Sequence, residues 1–314
     1  MFASWSRLIS LLLNTHVTMK GDAKIPDSLY HMSSSLLRII RLAIYFMWTM
    51  SLMPIQWAGL ALGCRWVKTL PAFYHRGCCR VLGFRIRLIG KPTPERPALF
   101  AANHVSYTDI TILGSLIPGS FIAKAEVARW PFFGWLAKLQ RTVFVDRKIG
   151  SAAIQRDAVS ERLMAGDALI LFPEGTSGDG NRPLPFKTAL FAAAAKTANI
   201  QSVVVQPVSL AYTRLDGIPI GRSLRPFFSW YGTVGLVPHL WDMIGLGTVE
   251  AVVQFHPPTF LADCGSRKLL AGYCHARIAG GMAGALFGRP QPMPKPPDPA
   301  GHGEFPSSAS KAAA

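Results

Sequence analysis

Short apolar runs alternate with longer mixed stretches between residues 84 and 260 of this chain. A short apolar run is typical of a buried strand, and a longer stretch with apolar residues three or four apart is typical of a helix. The pattern predicts strands at Phe84–Ile89, Ala98–Ala102, Thr142–Val145, Ala168–Phe172, Val203–Leu210 and Val249–Phe255. It predicts helices at Ile110–Leu116, Val127–Leu139, Ala152–Ala165, Phe186–Ala198 and Ser266–Phe287. The alternation predicts an α/β fold in which helices flank a mostly parallel central sheet.

Ahead of these elements lies a run without any charged residue, from Leu42 to Cys64. As a helix it could reach across a hydrocarbon core of about 30 Å. Pro54 lies near the middle of the run, and a proline interrupts a helix. The sequence leaves open one spanning helix or a pair of shorter helices in the membrane interface. A helix buried in a soluble core fits least, because the run is long and uniformly apolar.

Shifts in composition divide the chain into four parts. We predict a weakly structured extension at 1–35, a membrane-associated helical segment at 36–65, the α/β domain with a terminal helix at 66–287 and a disordered tail at 288–314. The tail is rich in proline and alanine, a composition that does not support a packed core. The start of the chain lacks the basic region and cleavage pattern of a secretory signal.

The chain is strongly basic and apolar. It carries 33 Lys and Arg against 17 Asp and Glu, a formal net charge of +16, and 50% of its residues are hydrophobic. The basic excess favours an anionic partner. The apolar content favours membrane lipid, and without a nucleic-acid-binding motif we expect no nucleic-acid partner. Basic residues are denser after the uncharged run than before it, which predicts a cytoplasmic domain by the positive-inside rule. The five cysteines lack metal-ligand spacing, and we expect reduced, structural thiols in a cytosol-facing domain.

Two polar segments carry the candidate chemistry, and each directly follows a predicted buried strand. The first segment is Asn103-His104-Val105-Ser106-Tyr107-Thr108-Asp109, and the second segment is Phe172-Pro173-Glu174-Gly175-Thr176. In open α/β sheets, ligands bind where the carboxyl ends of the strands meet. We therefore expect both segments at one site.

His104 and Asp109 are the candidate acid–base pair. A spacing of five residues would separate them by about 140° around one helix. They can meet if His104 ends the strand and Asp109 lies in the first turn of the next helix, where the helix dipole favours an acid. Asp109 would then hold the imidazole through Nδ1–H, and Nε2 would be free to take a proton from a hydroxyl.

The second segment supplies an acid, a hydroxyl and a glycine. Glu174 and Thr176 either bind a polar head group or order the loop, and Gly175 permits the close approach of a ligand. A structural turn with an exposed acid is the alternative. Downstream, Lys187 either holds an anion or is solvated.

Four blocks, in this order, resemble the bacterial glycerolipid acyltransferases typified by 1-acylglycerol-3-phosphate acyltransferase. They are Asn103-His104 with Asp109, which matches the family's His-x4-Asp motif; Lys124 to Arg147, with Trp130-Pro131, Gly134-Trp135 and Phe144-Val145-Asp146-Arg147; Phe172 to Thr176, with Phe186-Lys187; and Val205-Gln206-Pro207-Val208. The resemblance covers residues 35–260, and the joint presence of the first and third blocks is highly specific.

The resemblance implies an O-acyltransferase that moves a fatty acyl group from an acyl carrier protein or coenzyme A thioester to a lysolipid hydroxyl. It implies direct attack without an acyl-enzyme, with no metal and no bound cofactor, at the cytoplasmic side of a bacterial inner membrane. His104 is the implied base, and Asp109 orients it. The implied substrate-binding residues are Lys124 and Arg147, on phosphate groups, and Glu174, Gly175 and Thr176, around the acceptor.

One departure from the family pattern concerns the acceptor. The pattern usually continues Glu-Gly-Thr-Arg-Ser, but Ser177 stands at the arginine position and Asp179 follows two residues later. A neutral hydroxyl thus replaces a bidentate hydrogen-bond donor to phosphate. Together with Trp230-Tyr231-Gly232 and His239-Leu240-Trp241, this change resembles lyso-ornithine lipid acyltransferases, whose acceptor carries an ammonium and a carboxylate in place of phosphate.

We therefore expect lyso-ornithine lipid as the acceptor, with Asp179 paired to its ammonium. The alternative acceptor is lysophosphatidic acid, with Arg182 moving in to bind the phosphate. A non-catalytic lipid-binding membrane protein is the alternative of another class, and it would not require His104. A serine esterase is disfavoured, because the chain has no Gly-x-Ser-x-Gly motif.

Overall fold

A computed structural model of the protein describes residues 35–145, 152–192 and 203–288. The helices are α1 (Ser35–Ala61), α2 (Leu70–Leu82), α3 (Thr108–Leu116), α4 (Phe133–Leu139), α5 (Ala152–Met164), α6 (Arg225–Phe228), α7 (Leu236–Gly245), α8 (Leu261–Cys264) and α9 (Arg267–Phe287). The strands are β1 (Phe84–Ile89), β2 (Ala98–Ala102), β3 (Ser120–Lys124), β4 (Val143–Val145), β5 (Ala168–Leu171), β6 (Val204–Leu215), β7 (Ile218–Pro219), β8 (Val249–Phe255) and β9 (Thr259–Phe260). Short 3₁₀ helices lie at Arg65–Lys68, Ala125–Arg129 and Thr188–Phe191.

The strands form one mixed sheet. Its order is β1-β8-β6-β2-β5-β3-β4, and β7 and β9 also pair with β6. From β6 to β4 every neighbouring pair is parallel. β1 and β8 are parallel to each other, and β8 is antiparallel to β6. The prediction of an α/β fold with a mostly parallel sheet is therefore confirmed.

Each face of the sheet buries its own apolar cluster. Every residue of β2 and β5 is buried, as expected for central parallel strands. Successive side chains of a strand alternate between the faces. Phe100 accordingly shares a cluster with Ile112 of α3, whereas Leu99 shares one with Leu163 of α5 and Tyr273 of α9. The strand ends that carry the two polar segments are thus held between two packed layers.

The first helix, α1, runs unbroken through Pro54, so the arrangement as a pair of shorter helices is wrong. A proline removes one hydrogen bond from a helix, and here contacts with the domain hold the turns on either side. Trp48 Nε1 donates to Tyr74 O at 3.0 Å, and Gln56 Nε2 donates to Val67 O at 3.0 Å. By length and composition, α1 could cross a membrane.

The second helix, α2, lies between α1 and α3. Gly77 of α2 lies against the Trp48 indole, and Gly114 of α3 lies against the His75 ring; a Cβ at these glycines would come within 2.4 and 2.5 Å of the rings. Positions 75 and 77 are about 200° apart around a helix, so α2 contacts its two neighbours with opposite faces. The three helices therefore form a stack that leads from α1 to the helix that carries Asp109.

The structure differs from the sequence prediction at several elements. The sequence does not predict α2, β3 or α7. The predicted helix Val127–Leu139 is instead the 3₁₀ helix Ala125–Arg129 followed by α4, because Pro131 lacks an N–H and Phe132 adopts a positive φ of 63°. Within the predicted helix Phe186–Ala198, the described part contains the 3₁₀ helix Thr188–Phe191.

Some predictions fall outside the described residues. These are Arg147, the extension at residues 1–34, the tail from residue 289 onward, and residues 193–198 of the predicted fourth helix.

Candidate active site

The two polar segments leave the sheet side by side. β2 and β5 are parallel neighbours with Ala101 opposite Leu171, so both chains turn out of the sheet at the same edge. Asn103 continues β2 with its side chain: Nδ2 donates to Leu210 O at 2.9 Å, and Oδ1 accepts the Leu210 N–H at 2.8 Å. The register therefore brings the first and second segments together.

His104 and Asp109 form a hydrogen-bonded pair, with Nδ1 2.9 Å from Oδ2. Asp109 lies in the first turn of α3 and is fully buried. Its Oδ2 also accepts the backbone N–H groups of Val105 and Ser106, at 2.6 and 2.9 Å. Donors of this kind stabilise a carboxylate anion. Asp109 is therefore placed to accept the Nδ1–H of the imidazole.

The His104 ring turns its other nitrogen away from Asp109. The ring stacks on Phe172 of the second segment, with centroids 4.1 Å apart and planes 20° apart. The side chain is 18% exposed, and Nε2 makes no hydrogen bond within the described part of the chain. Because the Nδ1 proton faces the carboxylate, Nε2 carries the free lone pair. The pair can take a proton from a hydroxyl that reaches Nε2.

Tyr212, in β6, is a third member of this site that the sequence does not reveal. Its hydroxyl donates to Asp109 Oδ1 at 2.7 Å. Burial, and then the nearby Asp109 charge, raise the pKa of Tyr212 well above its ordinary value, so the hydroxyl is a neutral donor. The two residues are 103 positions apart, and only the pairing of β6 with β2 brings them together. No local sequence pattern could have indicated the contact.

Glu174 points into the protein. It is 2% exposed, and its Oε1 accepts the His104 backbone N–H at 3.1 Å. The Gly178 N–H donates to His104 O at 2.9 Å, so the His104 backbone is held through both its N–H and its carbonyl. Burial raises the pKa of Glu174 to about 8; the Asp109 charge acts in the same direction, and the N–H groups of His104 and Leu184 oppose it. Of the two roles predicted for Glu174, these contacts correspond to ordering the loop.

The other predicted substrate residues lie nearer the surface. Gly175 is half-buried with φ 71°, a backbone conformation that favours glycine. Lys124, Thr176 and Lys187 are exposed, and among the described residues no side-chain hydrogen bond joins them to His104 or Asp109. The structure therefore brings Glu174 to the pair and leaves these three side chains facing solvent.

The turn after the second segment is tied to a third segment, which contains Ser229 and Trp230. Ser177 Oγ donates to Trp230 O, and the Trp230 N–H donates to Val105 O at 3.0 Å. Gly180 has φ 77°, and a Cβ there would lie 3.0 Å from Ser229 Oγ. The close fit joins all three segments into one wall beside His104.

Asp179 is half-buried on this wall and is engaged by Asn181. Its Oδ1 accepts the Asn181 backbone N–H at 3.0 Å, and its Oδ2 accepts Nδ2–H at 3.1 Å. Arg225 Nη1 donates to Asn181 Oδ1 at 3.1 Å. Arg225 is 6% exposed, and its distance along the chain gives no sequence signal for this contact. The Asn181 side chain thus links the Asp179 carboxylate to the buried Arg225 guanidinium.

An aromatic cluster borders the first segment. The Tyr107 hydroxyl donates to His239 Nδ1 at 2.9 Å, and His239 Nε2–H donates to Phe227 O at 3.0 Å. Burial lowers the pKa of His239 to about 4, which keeps its ring neutral. Trp230 packs edge-on against Tyr107 and Trp130, with centroids 5.9 and 5.7 Å apart. Trp230 and His239 belong to the two stretches that the sequence links to the type of acceptor.

The chain is similar to proteins of known function. A protein family described as acyltransferase matches residues 85–211, which include both polar segments. The lyso-ornithine lipid O-acyltransferase of Brucella abortus (strain 2308) is 46% identical over 248 residues, which are 78% of this chain and 93% of that protein. This chain belongs to the acyltransferase family.

Two further proteins are similar to this acyltransferase. The lyso-ornithine lipid O-acyltransferase of Rhizobium meliloti (strain 1021) is 41% identical over 243 residues, 76% of this chain and 83% of that protein. The crystal structure of the 1-acyl-sn-glycerophosphate (LPA) acyltransferase from Thermotoga maritima aligns with a TM-score of 0.55 and 22% identity, over 78% of this chain and 96% of that chain. The predictions of the family and of an acyltransferase activity are confirmed, and the solved structure shows the same fold.

Within the described ranges of this acyltransferase, no group of three or more His, Cys, Asp and Glu side chains is arranged to hold a metal ion.

Proposed function

We propose that this acyltransferase transfers a fatty acyl group from an acyl thioester to the hydroxyl of a lysolipid, and that the lysolipid is lyso-ornithine lipid. The observation that carries the reaction is the His104–Asp109 pair, whose Nε2 is available for a hydroxyl proton. The acceptor is supported by two relatives named lyso-ornithine lipid O-acyltransferase. Ser177, in place of an arginine, supports the same acceptor.

The proposed reaction is a direct transfer. The acceptor hydroxyl gives its proton to His104 Nε2 while its oxygen attacks the thioester carbonyl carbon. The C–S bond then breaks, and the imidazolium returns the proton to the leaving thiolate. Between these steps the Asp109 anion offsets the positive charge of the ring. No acyl-enzyme forms, and no metal or bound cofactor takes part.

The acyl donor is a thioester of acyl carrier protein or of coenzyme A, and both carry phosphate. We assign the donor phosphates to Lys124 and Arg147, since the proposed acceptor has none. Lys124 is exposed at the carboxyl end of β3, the edge of the sheet at which the two polar segments also emerge. Lys187 is a further exposed cation that follows the second segment.

The acceptor head group carries an ammonium and a carboxylate, and we assign the ammonium to Asp179. Each oxygen of Asp179 accepts one hydrogen bond from Asn181, and a carboxylate oxygen can accept a second donor. Ser177 offers no positive charge to a phosphate. Gly175 and Thr176 border the same turn. In the alternative, Arg182, exposed on this turn, holds the phosphate of lysophosphatidic acid.

An assay of the membrane-expressed protein with both lysolipids tests this function. Lyso-ornithine lipid and lysophosphatidic acid are supplied with an acyl donor, and products are identified by mass. We expect ornithine lipid. His104→Ala should lower turnover by about 10²-fold to 10⁴-fold, the contribution of a general base, while membrane binding is kept. Phosphatidic acid as the only product would overturn the assignment of lyso-ornithine lipid as the acceptor. Full turnover by His104→Ala would overturn the role of His104 as the base.

In the same assay, Asp179→Asn tests the ammonium site. Loss of the charged partner should raise KM for lyso-ornithine lipid by about tenfold or more. Glu95→Gln is the matched control, because Glu95 is an exposed acid on the β1–β2 connection. If the affinity of Asp179→Asn for lyso-ornithine lipid equals that of the control, Asp179 is not part of the acceptor site.

We further propose that the enzyme lies on the cytoplasmic face of the bacterial inner membrane, with α1 in the interface. Contacts in both halves of α1 support this arrangement. Arg41 donates to Leu246 O and Gly247 O, and Gln56 donates to Val67 O. A helix that crosses the bilayer carries one end away from its domain, whereas these contacts keep both halves of α1 on it.

A further inference from the structure

The hydroxyl of Tyr212 lies on the side of Asp109 opposite His104. It is 2.7 Å from Asp109 Oδ1 and 2.6 Å from Thr108 Oγ1. Tyr212 is buried, and its ring lies between Phe84 and Phe228, with centroids 6.3 and 6.1 Å away. The packing holds the ring in its place on β6, and the hydrogen bond with Thr108 of the first segment sets the direction of the hydroxyl.

The direction of these hydrogen bonds follows from the proton count. An ionised carboxylate only accepts, so the single hydroxyl proton of Tyr212 goes to Asp109 Oδ1. The Tyr212 oxygen is then free to accept the hydroxyl proton of Thr108. Thr108 therefore orients Tyr212, and Tyr212 in turn holds Asp109.

The two oxygens of Asp109 are held by different parts of the fold. Oδ2 accepts three donors, all from the first segment: the backbone N–H groups of Val105 and Ser106, and His104 Nδ1. Within the described residues, Oδ1 has only the Tyr212 hydroxyl. Without that hydroxyl, one buried oxygen would lack a donor and the plane of the carboxylate would be held from one side only.

We propose that Tyr212 is a positioning residue for acyl transfer: its hydroxyl keeps Asp109 Oδ2 facing His104 Nδ1 and limits how strongly Asp109 holds a proton on the imidazole. The proposal rests on the proposed function for the reaction it serves. His104 must take a proton from the acceptor and later release it to the leaving thiolate. A donor on Oδ1 takes up part of the carboxylate charge, which weakens the hold on the imidazolium and favours the release.

Tyr212→Phe removes the hydroxyl and leaves the ring in place. Loss of a hydrogen bond to a charged group should lower kcat by about tenfold or more. KM should stay within about twofold of wild type, since Tyr212 contacts Asp109 and not the substrate. The acidic limb of the kcat/KM profile should move to higher pH, because the carboxylate then holds the imidazole proton more strongly.

Tyr273→Phe is the matched control. Tyr273 is another buried tyrosine, and its hydroxyl accepts Arg277 Nε–H at 3.1 Å in α9. The control should show a comparable loss of thermal stability with no change in kcat or in the pH profile. Thr108→Val is a second variant that leaves Tyr212 intact, and it should shift the profile in the same direction by a smaller amount.

Glu174 also faces the pair, from the second segment, and burial raises its pKa to about 8. Tyr107 and His239 lie next to the pair; burial raises the pKa of Tyr107 and lowers that of His239 to about 4. Each profile is therefore repeated in a Glu174→Gln background. The shift of the acidic limb caused by Tyr212→Phe should be the same in wild type and in Glu174→Gln.

A readout without turnover separates this proposal from the proposed function. Diethyl pyrocarbonate labels neutral imidazole, and peptide mass spectrometry reports the labelling of His104 from pH 5 to 8. Tyr212→Phe should raise the labelling midpoint by about 0.5 to 1 pH unit, and in the Asp109→Asn background it should add no shift. Equal midpoints in wild type and Tyr212→Phe would overturn the proposal. A wild type that transfers no acyl group would overturn the proposed function and leave this measurement valid.

Discussion

Asp109 is the residue at which the contacts of the site converge. Its carboxylate is fully buried and accepts hydrogen bonds from the first segment on one oxygen and from β6 on the other. A buried charge is strongly unfavourable unless hydrogen bonds replace the lost water. The hydrogen bonds that stabilise this buried charge also orient the carboxylate toward the imidazole. Folding and the acid–base arrangement therefore depend on the same atoms.

Glu174 makes the stability of the protein depend on pH. Its pKa is raised from an ordinary value of 4.5 to about 8, chiefly by burial. Between these two values the unfolded chain has released the proton and the folded protein keeps it, so stability falls as pH rises. Glu174→Gln removes this titration and keeps an oxygen for the His104 N–H. We expect the unfolding temperature of the variant to fall less than that of wild type from pH 5 to pH 8.

The exposed acid Glu95 supplies the control for this measurement. Glu95→Gln should follow the wild-type curve at every pH, because Glu95 is exposed and an exposed carboxylate contributes little to stability. Buried histidines such as His239 and His256, whose pKa values burial lowers to about 4, contribute equally to all three proteins. Parallel curves for Glu174→Gln and wild type would contradict the assignment.

For single residues, the sequence predicts the members of the motifs but not the side chains that hydrogen-bond to them. His104 and Glu174 are recognisable because each lies just after an apolar strand, and Asp109 is recognisable by its spacing from His104. Tyr212 and Arg225 are not, since their contacts lie across strand pairings and turns far along the chain. The inward direction of Glu174 also depends on the docking of its turn onto His104, which no spacing rule describes.

Among the elements, α2 connects the apolar helix α1 to the helix that carries Asp109. The contact with α1 depends on Gly77, where a Cβ would come within 2.4 Å of the Trp48 indole. Gly77→Ala should therefore push α1 away and lower stability by about 1–3 kcal/mol, the usual effect of overpacking. Hydrogen exchange of the α1 backbone should become faster.

Gly221→Ala is the control, since Gly221 is exposed and a Cβ there meets no atom within 4 Å. Its hydrogen exchange and unfolding temperature should match those of wild type. If α1 exchanges at the same rate in Gly77→Ala as in Gly221→Ala, the two helices are not packed through this glycine.

The elements also show where hydrophobic patterning is sufficient. β2 and β5 are predicted well, because central parallel strands are apolar on both faces. α2 is missed because its buried face consists of Ala72, His75, Cys78 and Cys79 rather than large apolar residues. The antiparallel direction of β8 against β6 is not predictable from the pattern, since apolar runs carry no information on strand direction.

The whole molecule combines a net charge of +16 with an apolar helix that is largely exposed. Side chains of α1 such as Trp57, 67% exposed, face away from the domain. We expect the protein to bind vesicles that contain phosphatidylglycerol more tightly than vesicles of phosphatidylcholine. Higher salt should reduce this preference, because screening weakens charge attraction. Cosedimentation over a range of lipid and salt concentrations measures it.

Trp57→Ala should weaken binding to both kinds of vesicle, because it removes apolar area that enters the lipid. Ile218→Ala is the matched change outside α1, as Ile218 is 65% exposed on β7. Its binding should equal that of wild type. Equal losses in the two variants would mean that the apolar surface of α1 is not the part that meets the membrane.

The His104 backbone donates its N–H to Glu174 and accepts from Gly178 through its carbonyl. The loop that differs from the family pattern therefore also holds the backbone of the base, His104, in position. An engineer who restores the arginine with Ser177→Arg, to convert the acceptor preference, also breaks the Ser177 contact with Trp230. A graft of the loop should therefore keep acyltransferase activity only when the Trp230 segment is exchanged with it.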